Sequence, residues 1–522
     1  MLLWDIITRS AAKFPTNTAI VYRDNPTTYA ELQSAIERLA AGMLQSGIRR
    51  GDRIALLLPN SAPFILAYYA STKIGAICVP ANPQLKPPEL EYIWRDAGIK
   101  MVFTVAQLLP IVYAARTNLP YLKSVVSVNP LDEQPDAEVI NGVRGLTTLT
   151  DMMASGAQAL ATGSDPVELS PDLDEKSCAV VIYTSGTTGH PKGAMLSHFN
   201  LTRNVEQIHG VLKFTEQDRF LTVLPLYHSF AATVCMNTAL AGGCMTVLLE
   251  NFAPAKTLET LEKYRITIFA GVPALYNALL QYPAEKEYDL SALRLLVSGG
   301  APLPAAILLA VEDRFKVPVL EGDGPTECSP VTSVNPLDGV RKAGSVGPAV
   351  PDVQIAIFDD TDNSLPVDEI GEIVVRGDNV MLGYLNQPEA TAEAMTSGWY
   401  HTGDLGYIDT DGYVFIVDRK KDMIISSGLN IYPREIEEVL YTHEGVQDAA
   451  VIGVPDAKRG EEVLAVVVRK TGSEVTERSL ISFCRERLAN YKLPRTVLFR
   501  DTLPRGSTGK VVKGTRGAPA KS

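Results

Sequence analysis

Hydroxyl and glycine residues crowd the segment YTSGTTGHPKGAMLSH at residues 183–198, directly after the apolar run CAVVIYT. Glycine lets backbone N–H groups turn toward a bound anion without a steric penalty, and the hydroxyls add donors. The spacing differs from the common P-loop, because Pro191 precedes Lys192 and a glycine follows it. The pattern predicts a loop that holds the phosphates of a nucleoside triphosphate. Its residues are Thr184, Ser185, Gly186, Thr187, Thr188, Gly189 and Lys192.

Six further segments follow in order and, together with this loop, resemble one family. They are PLYHSF (225–230), VSGGAPLP (297–304), EGDGPTE (321–327), GWYHTGDLGYID (398–409), DRKKDMIISSGLNIYPREIE (418–437) and LPRGSTGKV (503–511). The set resembles the adenylate-forming, or AMP-binding, enzyme superfamily, and within it the fatty acyl-CoA synthetases (long-chain-fatty-acid–CoA ligases). Seven matches in the same order along nearly the whole chain are far more specific than any one of them.

The resemblance implies an acid–thiol ligase that uses ATP, Mg²⁺ and coenzyme A. Such an enzyme activates a carboxylate as an acyl-adenylate with release of pyrophosphate, and then transfers the acyl group to a thiol with release of AMP. Lys510 is implied to bridge the carboxylate and the α-phosphate, where negative charge develops. Glu327 and Thr184 are implied to hold Mg²⁺, which prefers oxygen ligands. His228 is implied to gate the acyl tunnel, although a histidine there could also be an ordinary core residue.

The resemblance also assigns the nucleotide-binding residues outside the glycine loop. Asp404 and Arg419 are implied to hold the ribose hydroxyls. Lys421 is implied to lie at the pivot of a mobile domain, and Gly428 to allow close approach of the pantetheine. The implied residues of the nucleotide pocket are Gly300, Ala301, Pro302, Glu321, Gly322, Asp323, Gly324 and Thr326.

Asp323 departs from the family pattern, which usually has an aromatic residue that packs on adenine. Loss of base stacking costs about 1–3 kcal/mol. We interpret Asp323 as an acceptor for the adenine amino group, with a solvated turn acid as the alternative. The chain also ends soon after Lys510 with an unusual tail. Because of these two departures, the alternative is that the protein is a nucleotide-binding relative that has lost turnover.

The acyl substrate is less constrained by the sequence. No acid lies in PLYHSFAATV that could bind a substrate ammonium group, and this disfavours amino acids. The small side chain of Ala232 leaves room for an elongated acyl chain, so we expect a medium- or long-chain fatty acid. The alternative is an aryl acid or another carboxylate. The candidate tunnel residues are Phe230, Ala232, Val234, Val272 and Pro273.

Composition and periodicity indicate the elements that position these residues. The chain has 522 residues and a formal net charge of -12, which disfavours a nucleic-acid partner. Val-, Ile- and Leu-rich runs that alternate with helical patterns predict an α/β large N-terminal domain (1–418) with mostly parallel sheets. Shorter runs from about residue 345, separated by Asp/Asn/Gly turns, predict an antiparallel β subdomain. A small mobile α+β C-terminal domain (419–522) with the catalytic lysine follows.

The cysteines and the hydropathy of the sequence indicate in which compartment the protein is expected. Six scattered cysteines without a CxxC pair are typical of free thiols in a reducing compartment. The uncharged stretch 230–249 contains the pair Gly242-Gly243, so we interpret it as buried core rather than a membrane span. We therefore expect a cytoplasmic monomer or homodimer with at most peripheral membrane contact.

Overall fold

The structure, a computed structural model, describes residues 1–128, 145–162, 173–184, 191–283, 286–426, 428–456, 459–506 and 511–513. The first part of the chain builds two eight-stranded sheets. Their strands, in chain order, are β1 (Thr18–Tyr22), β2 (Asn25–Thr28), β3 (Arg53–Leu57), β4 (Ile77–Pro80), β5 (Ile99–Thr104), β6 (Ser124–Ser127), β7 (Leu146–Thr148), β8 (Cys178–Thr184), β9 (Lys192–Ser197), β10 (Arg219–Thr222), β11 (Met245–Leu248), β12 (Ile268–Gly271), β13 (Leu295–Ser298), β14 (Val319–Asp323) and β15 (Ser333–Val334). A later strand, Gly383–Tyr384, joins the edge of one sheet beside β9.

Both large sheets are parallel in their interiors; one is antiparallel at both edges, and the other only at the edge that carries β9. One has the order β15-β14-β13-β12-β10-β11-β1-β2, and in the other β8-β4-β3-β5-β6-β7 forms a continuous parallel run. Strands such as β12 and β13 are buried along their whole length, as expected for apolar runs covered on both faces. The predicted α/β class is confirmed.

Helices cover these sheets and begin where the sequence supplies caps. Thr28 and Glu31 form a capping box at the start of α2, and Ser61 caps α3. The helices up to the end of the large sheets are α1 (Asp5–Lys13), α2 (Tyr29–Gln45), α3 (Ala62–Lys73), α4 (Pro87–Ala97), α5 (Leu109–Arg116), α6 (Leu149–Ala161), α7 (His198–Leu212), α8 (Thr238–Ala241), α9 (Pro254–Lys263), α10 (Pro273–Gln281) and α11 (Ala305–Phe315).

The uncharged stretch 230–249 folds as core. It forms a π-helix (Ala231–Asn237), then α8 and β11, and the π-helix is buried at every residue. Within the described part of the chain, no helix is both long and apolar enough to cross a membrane. π-helical turns are rare and are frequent at functional sites.

A five-stranded antiparallel sheet follows, as predicted. Its strands are β16 (Val353–Phe358), β17 (Gly371–Gly377), β19 (Met395–Thr396), β20 (Trp399–Ile408) and β21 (Val414–Arg419), with β18 (Gly383–Tyr384) and α12 (Pro388–Ala394) inserted. The register of β20 and β21 places Asp404 directly opposite Arg419.

The C-terminal part has a separate sheet and its own apolar core. It contains β22 (Ile424–Ser426), β23 (Leu429–Ile431), α13 (Pro433–Tyr441), β24 (Val446–Asp456), β25 (Gly460–Arg469), α14 (Glu477–Arg485) and β26 (Thr496–Arg500). Arg419 is the last residue of the antiparallel sheet, so the domain boundary that we propose between residues 418 and 419 lies one residue before the end of this sheet.

Candidate active site

A single cavity of about 1400 Å³ gathers most of the residues that the sequence assigned to chemistry. Both large sheets, the antiparallel sheet and the C-terminal part contribute to its wall. The assigned residues on this wall are Thr184, Lys192, His228, Gly300, Ala301, Pro302, Glu321, Gly322, Asp323, Gly324, Thr326, Glu327, Asp404, Arg419 and Lys421. Gly428 lies instead at the exposed turn between β22 and β23 and is absent from the described wall.

Two parts of the assigned site lie outside the described residues. They are the centre of the glycine loop, which comprises Ser185, Gly186, Thr187, Thr188 and Gly189, and the residue Lys510. The loop's two ends are described: Thr184 ends β8, Lys192 begins β9, and the two residues pair directly across the antiparallel ladder.

Glu327 and Thr184 meet although they come from separate parts of the fold: Thr184 ends β8, and Glu327 lies in a 3-10 helix (Thr326–Cys328) between β14 and β15. The Thr184 hydroxyl donates to Glu327 Oε1 at 3.1 Å, and the Tyr384 hydroxyl donates to the same oxygen at 2.9 Å. The Glu327 side chain is buried, so its charge sits among oxygen atoms in a region shielded from water. Hard oxygen ligands of this kind suit Mg²⁺.

Tyr384 contacts both Glu327 and Lys192. The sequence did not identify this residue as part of the site. The Lys192 ammonium lies 5.1 Å from the Tyr384 ring centroid, within the range of a cation–π contact. Burial, reinforced by the nearby Glu327 charge, raises the pKa of Tyr384, so its hydroxyl stays a donor. Only a two-residue strand carries this tyrosine, and no pattern within residues 380–387 separates it from an ordinary core residue.

Glu321 is a buried residue that lines the cavity. Its Oε1 accepts from the Leu303 N–H at 2.8 Å, while Oε2 has no hydrogen-bond partner among the described residues. Burial raises the pKa of Glu321 to about 7, against the opposing effect of the Leu303 N–H. An unsatisfied buried carboxyl oxygen is costly and favours a ligand donor at this position.

Asp323 follows at the end of β14 in a tightly packed turn. Its carbonyl accepts from the Thr332 N–H at 2.9 Å and from the Thr332 hydroxyl at 3.0 Å. A Cβ on Gly324 would lie 1.4 Å from the Pro330 carbonyl oxygen, so only glycine fits after Asp323. This turn fixes the backbone of Asp323 and places its carboxylate among the charges around Arg419.

Arg419 is held by carboxylates at the point where the antiparallel sheet ends. Its Nε lies 3.3 Å from Asp404 Oδ1. Burial works against the guanidinium charge, but Asp404, Asp422 and Asp323 together raise the pKa of Arg419 above its ordinary value. The assigned ribose pair is therefore brought together at the cavity wall.

His228 lies on the cavity wall. Its Nδ1 accepts from the Phe230 N–H at 3.3 Å. The neighbouring Ser229 hydroxyl is 3.0 Å from the Thr326 hydroxyl and links this segment to the residue before Glu327. Of the five candidate tunnel residues, Phe230, Val234 and Pro273 line the cavity, whereas Ala232 and Val272 are buried outside its wall.

The cavity lies where the two large sheets, the antiparallel sheet and the C-terminal part meet. The family models named AMP-binding enzyme and AMP-binding enzyme C-terminal domain match residues 7–385 and 435–510. The chain belongs to the AMP-binding enzyme family.

Named relatives agree with this assignment. The chain is 37% identical to a long-chain-fatty-acid–CoA ligase of Bacillus subtilis (strain 168), over 98% of this chain and 93% of that protein. It is 39% identical to a feruloyl-CoA synthase of Amycolatopsis sp, over 97% and 96% of the two chains. The crystal structure of ATP-bound MatB from Rhodopseudomonas palustris has 34% identity and a TM-score of 0.87, with 98% of this chain and 97% of that chain covered.

The sequence-based prediction of the enzyme class is confirmed. The protein is an AMP-forming acid–thiol ligase of the acyl-CoA synthetase type. Its substrates include ATP, coenzyme A and a small carboxylic acid.

Proposed function

We propose that this enzyme activates medium- or long-chain fatty acids as their coenzyme A thioesters. The observation that carries the proposal is an uncharged, apolar wall in the same cavity as the Thr184–Glu327 corner. This wall includes Ile208, Leu212, Phe230, Val234, Val331 and Val334.

The charge distribution around the cavity supports a neutral acyl group. The α7 helix, the π-helix and β15, which carry much of the apolar wall, contribute no basic side chain to it. A second substrate carboxylate would therefore enter without a counter-charge, at a cost of several kcal/mol. This argues for monocarboxylates whose tail is apolar.

In the first step, a carboxylate oxygen attacks the α-phosphorus of ATP, and the bond to pyrophosphate breaks. Thr184 and Glu327 would hold Mg²⁺, which neutralises phosphate charge when bound. Asp404 and Arg419 would orient the ribose, and the hydroxyls and Lys192 would bind the phosphates. In the second step, the coenzyme A thiolate attacks the acyl carbon and AMP leaves.

Lys510 is proposed to act in the first step alone. A cation between the carboxylate and the α-phosphate stabilises charge that exists only during adenylation. We expect Lys510→Ala to lower acyl-adenylate formation by about 100- to 1000-fold and to spare thioester formation from a supplied acyl-adenylate. Equal losses in both half-reactions would contradict this role.

A second candidate is an aryl-propenoic acid. It is favoured by the identity to a feruloyl-CoA synthase, which matches that to the fatty-acid ligases. A relative that binds nucleotide but has lost turnover is the remaining alternative.

The proposed compartment and assembly follow the sequence expectations. The described cysteines are all free, and most are buried, as suits a reducing cytoplasm. A monomer or homodimer with at most peripheral membrane contact remains a prediction.

The test is pyrophosphate release with a panel of acids, with and without coenzyme A. The panel contains C6–C18 fatty acids, ferulic and benzoic acids, and dicarboxylic acids of matched length. We expect the fatty acids to give the highest kcat/KM and the dicarboxylic acids to be at least about 100-fold worse. A preference for ferulate would favour the aryl-propenoic acid as substrate. If no acid gave pyrophosphate release, the protein would be a nucleotide-binding relative that has lost turnover.

A further inference from the structure

Helix α13 of the C-terminal part begins against the end of the antiparallel sheet. Asp418, on β21, accepts through Oδ2 from the Arg434 N–H at 3.0 Å. Arg434 is the second residue of α13, where an N–H group has no partner within the helix, and Tyr432 supplies no side-chain cap. Asp418 therefore caps a helix that lies on the other side of the proposed domain boundary.

The Arg434 side chain makes a second contact across this boundary. Its Nη1 donates to the Ile416 carbonyl of β21 at 2.5 Å, and its Nε lies 3.8 Å from Glu438 Oε1, one turn further along α13. Arg434 and Asp418 are both buried. A buried charged donor that loses its acceptor is costly, so these contacts favour α13 docked on β21.

The chain between the two residues is tied to the antiparallel sheet as far as Lys420. The Lys420 N–H donates to the Gly403 carbonyl at 2.9 Å, and its Nζ lies 2.9 Å from Asp360 Oδ1. Asp418 therefore stays with this sheet, whereas α13 follows the proposed pivot at Lys421. Rotation about this pivot would separate α13 from β21, so the two contacts belong to the docked arrangement.

Docked α13 forms part of the cavity wall. Its residues Arg434, Glu437, Glu438 and Tyr441 line the cavity. In the same arrangement Gly428, which we propose for the approach of the pantetheine, is exposed and absent from the described wall. The docked arrangement therefore suits the step that does not use the thiol, which is adenylation.

We propose that Asp418 and Arg434 are positioning residues that dock α13 on β21 and so hold the cavity in its arrangement for adenylation. The inference rests on the proposed function, because it assigns the docking to one half-reaction. Neither residue reacts, and both act through the position of α13. Loosening the contacts raises the population of undocked protein and slows the step that needs the docked arrangement.

Three variants and a matched control separate the docking from other effects. Arg434→Met removes the donor to the Ile416 carbonyl, Asp418→Ala removes the cap, and Asp418→Asn keeps an acceptor oxygen. The control is Gln447→Ala. Gln447 Nε2 also donates across the boundary, to Gln281 Oε1 at 3.0 Å, but this bond is exposed and neither residue is on the described cavity wall.

The first measurement is limited trypsin digestion without ligand, with cuts after Arg419, Lys420 or Lys421 identified by mass spectrometry. The rate of such cuts follows the population of the open form when opening is fast. Arg434→Met leaves the sequence of this segment unchanged, and we expect it to raise the rate about tenfold or more. Gln447→Ala should raise it less than about threefold. An unchanged rate in Arg434→Met would overturn the proposal.

The second measurement compares the two half-reactions. We expect Arg434→Met and Asp418→Ala to lower the kcat of ATP–pyrophosphate exchange by about 3- to 30-fold. The KM for ATP should change less than about threefold, and thioester formation from supplied acyl-adenylate should be unchanged or faster. Asp418→Asn should restore most of the exchange rate, and Gln447→Ala should leave both half-reactions intact.

Equal losses in both half-reactions, or a rise in the KM for ATP without a loss of kcat, would overturn the proposal. Thermal unfolding identifies a variant that does not fold. If Arg434→Met fails to fold, Asp418→Ala decides by the half-reaction criteria. An unmodified enzyme without exchange for any acid would instead refute the proposed function, and the trypsin comparison would still test the docking.

Discussion

At the scale of single residues, Glu327 is the proposed ligand of Mg²⁺. Its Oε1 already accepts from the Thr184 and Tyr384 hydroxyls, so a cation would join a formed oxygen cluster. We expect Glu327→Gln to raise the Mg²⁺ concentration for half-maximal adenylation by at least tenfold and to lower kcat, because the neutral amide loses the ionic attraction. Tyr384→Phe, which keeps the charge, should move this concentration less than about threefold. The measurement is a Mg²⁺ titration of pyrophosphate exchange, and an identical titration curve for Glu327→Gln would contradict the assignment.

Two carboxylates are candidate acceptors for the adenine amino group. The sequence hypothesis gave this role to Asp323, but the structure adds Glu321, whose buried Oε2 lacks a partner among the described residues. The Asp323 carboxylate instead contributes to the charge around Arg419. We expect Glu321→Ala to lower the preference for ATP over GTP by about tenfold or more, because guanine presents a carbonyl where adenine presents the amino donor.

Three matched variants complete this comparison. Glu321→Gln keeps an acceptor oxygen and should retain most of the preference, and Asp323→Ala should change it by less than about threefold. Asp323→Tyr should keep activity and tighten ATP binding through stacking. The kcat/KM ratio for the two nucleotides measures the effect. If only Asp323→Ala strongly lowered the preference for ATP over GTP, Asp323 rather than Glu321 would be the acceptor for the adenine amino group.

The buried Glu321 also makes stability depend on pH. Its pKa is raised from 4.5 to about 7 by burial, so the folded protein binds the proton more tightly than the unfolded chain. This contribution is fully present below pH 4.5 and is lost as the pH rises through 7, by up to roughly 3 kcal/mol. Glu321→Gln should therefore gain thermal stability relative to the unmodified protein between pH 5 and 8. A stability difference that is flat over this interval, measured without nucleotide, would show that the group does not titrate as described.

Some residues of the site were accessible from the sequence and others were not. Thr184, Glu327, Asp404 and Arg419 stand in segments with a recognisable order of residue types, and the structure brings each of them to the cavity. Tyr384 has no such setting, because its position arises from a two-residue strand pairing with β9.

At the scale of elements, we propose that the segment after β21 is a hinge with its pivot at Lys421. The Asp422 and Met423 N–H groups both donate to the Arg419 carbonyl and form a turn around Lys421. We expect Lys421→Pro to impair one half-reaction at least tenfold more than the other, since proline restricts φ at the pivot. Lys421→Ala, which keeps backbone freedom, is the control. Separate assays of adenylation and thioester formation measure the two losses relative to the unmodified enzyme. Equal losses in the two half-reactions would contradict a pivot at Lys421.

Elements followed the sequence closely where periodicity was strong. The run CAVVIYT coincides with β8, and the charge-free stretch 230–249 forms buried helix and strand. The strand β20 and its register with β21 were not predicted. Its sequence WYHTGDLGYI mixes glycine and polar residues, and the pairing includes a register shift near Gly406 that only the folded sheet defines.

At the scale of the whole molecule, the cavity exists because separate units meet around it. Thr184 and Lys192 come from one large sheet, and Glu321 and Asp323 come from the other. Arg419 comes from the antiparallel sheet, and Lys513 comes from the C-terminal part. Composition predicted these units but not their contacts. A buried pair such as Lys513–Glu437 joins residues far apart in a chain rich in both charge types, so no local pattern identifies it.

The central claim is that this cavity forms an acyl-adenylate and then a thioester. It is tested most directly by a quenched single-turnover reaction with α-labelled ATP, excess enzyme and the best fatty acid, first without coenzyme A. We predict that the label accumulates as acyl-adenylate, close to one equivalent per active site. Addition of coenzyme A should then convert it to AMP and acyl-CoA. Label that appears as ADP, or that remains ATP in the presence of every acid, would contradict the account.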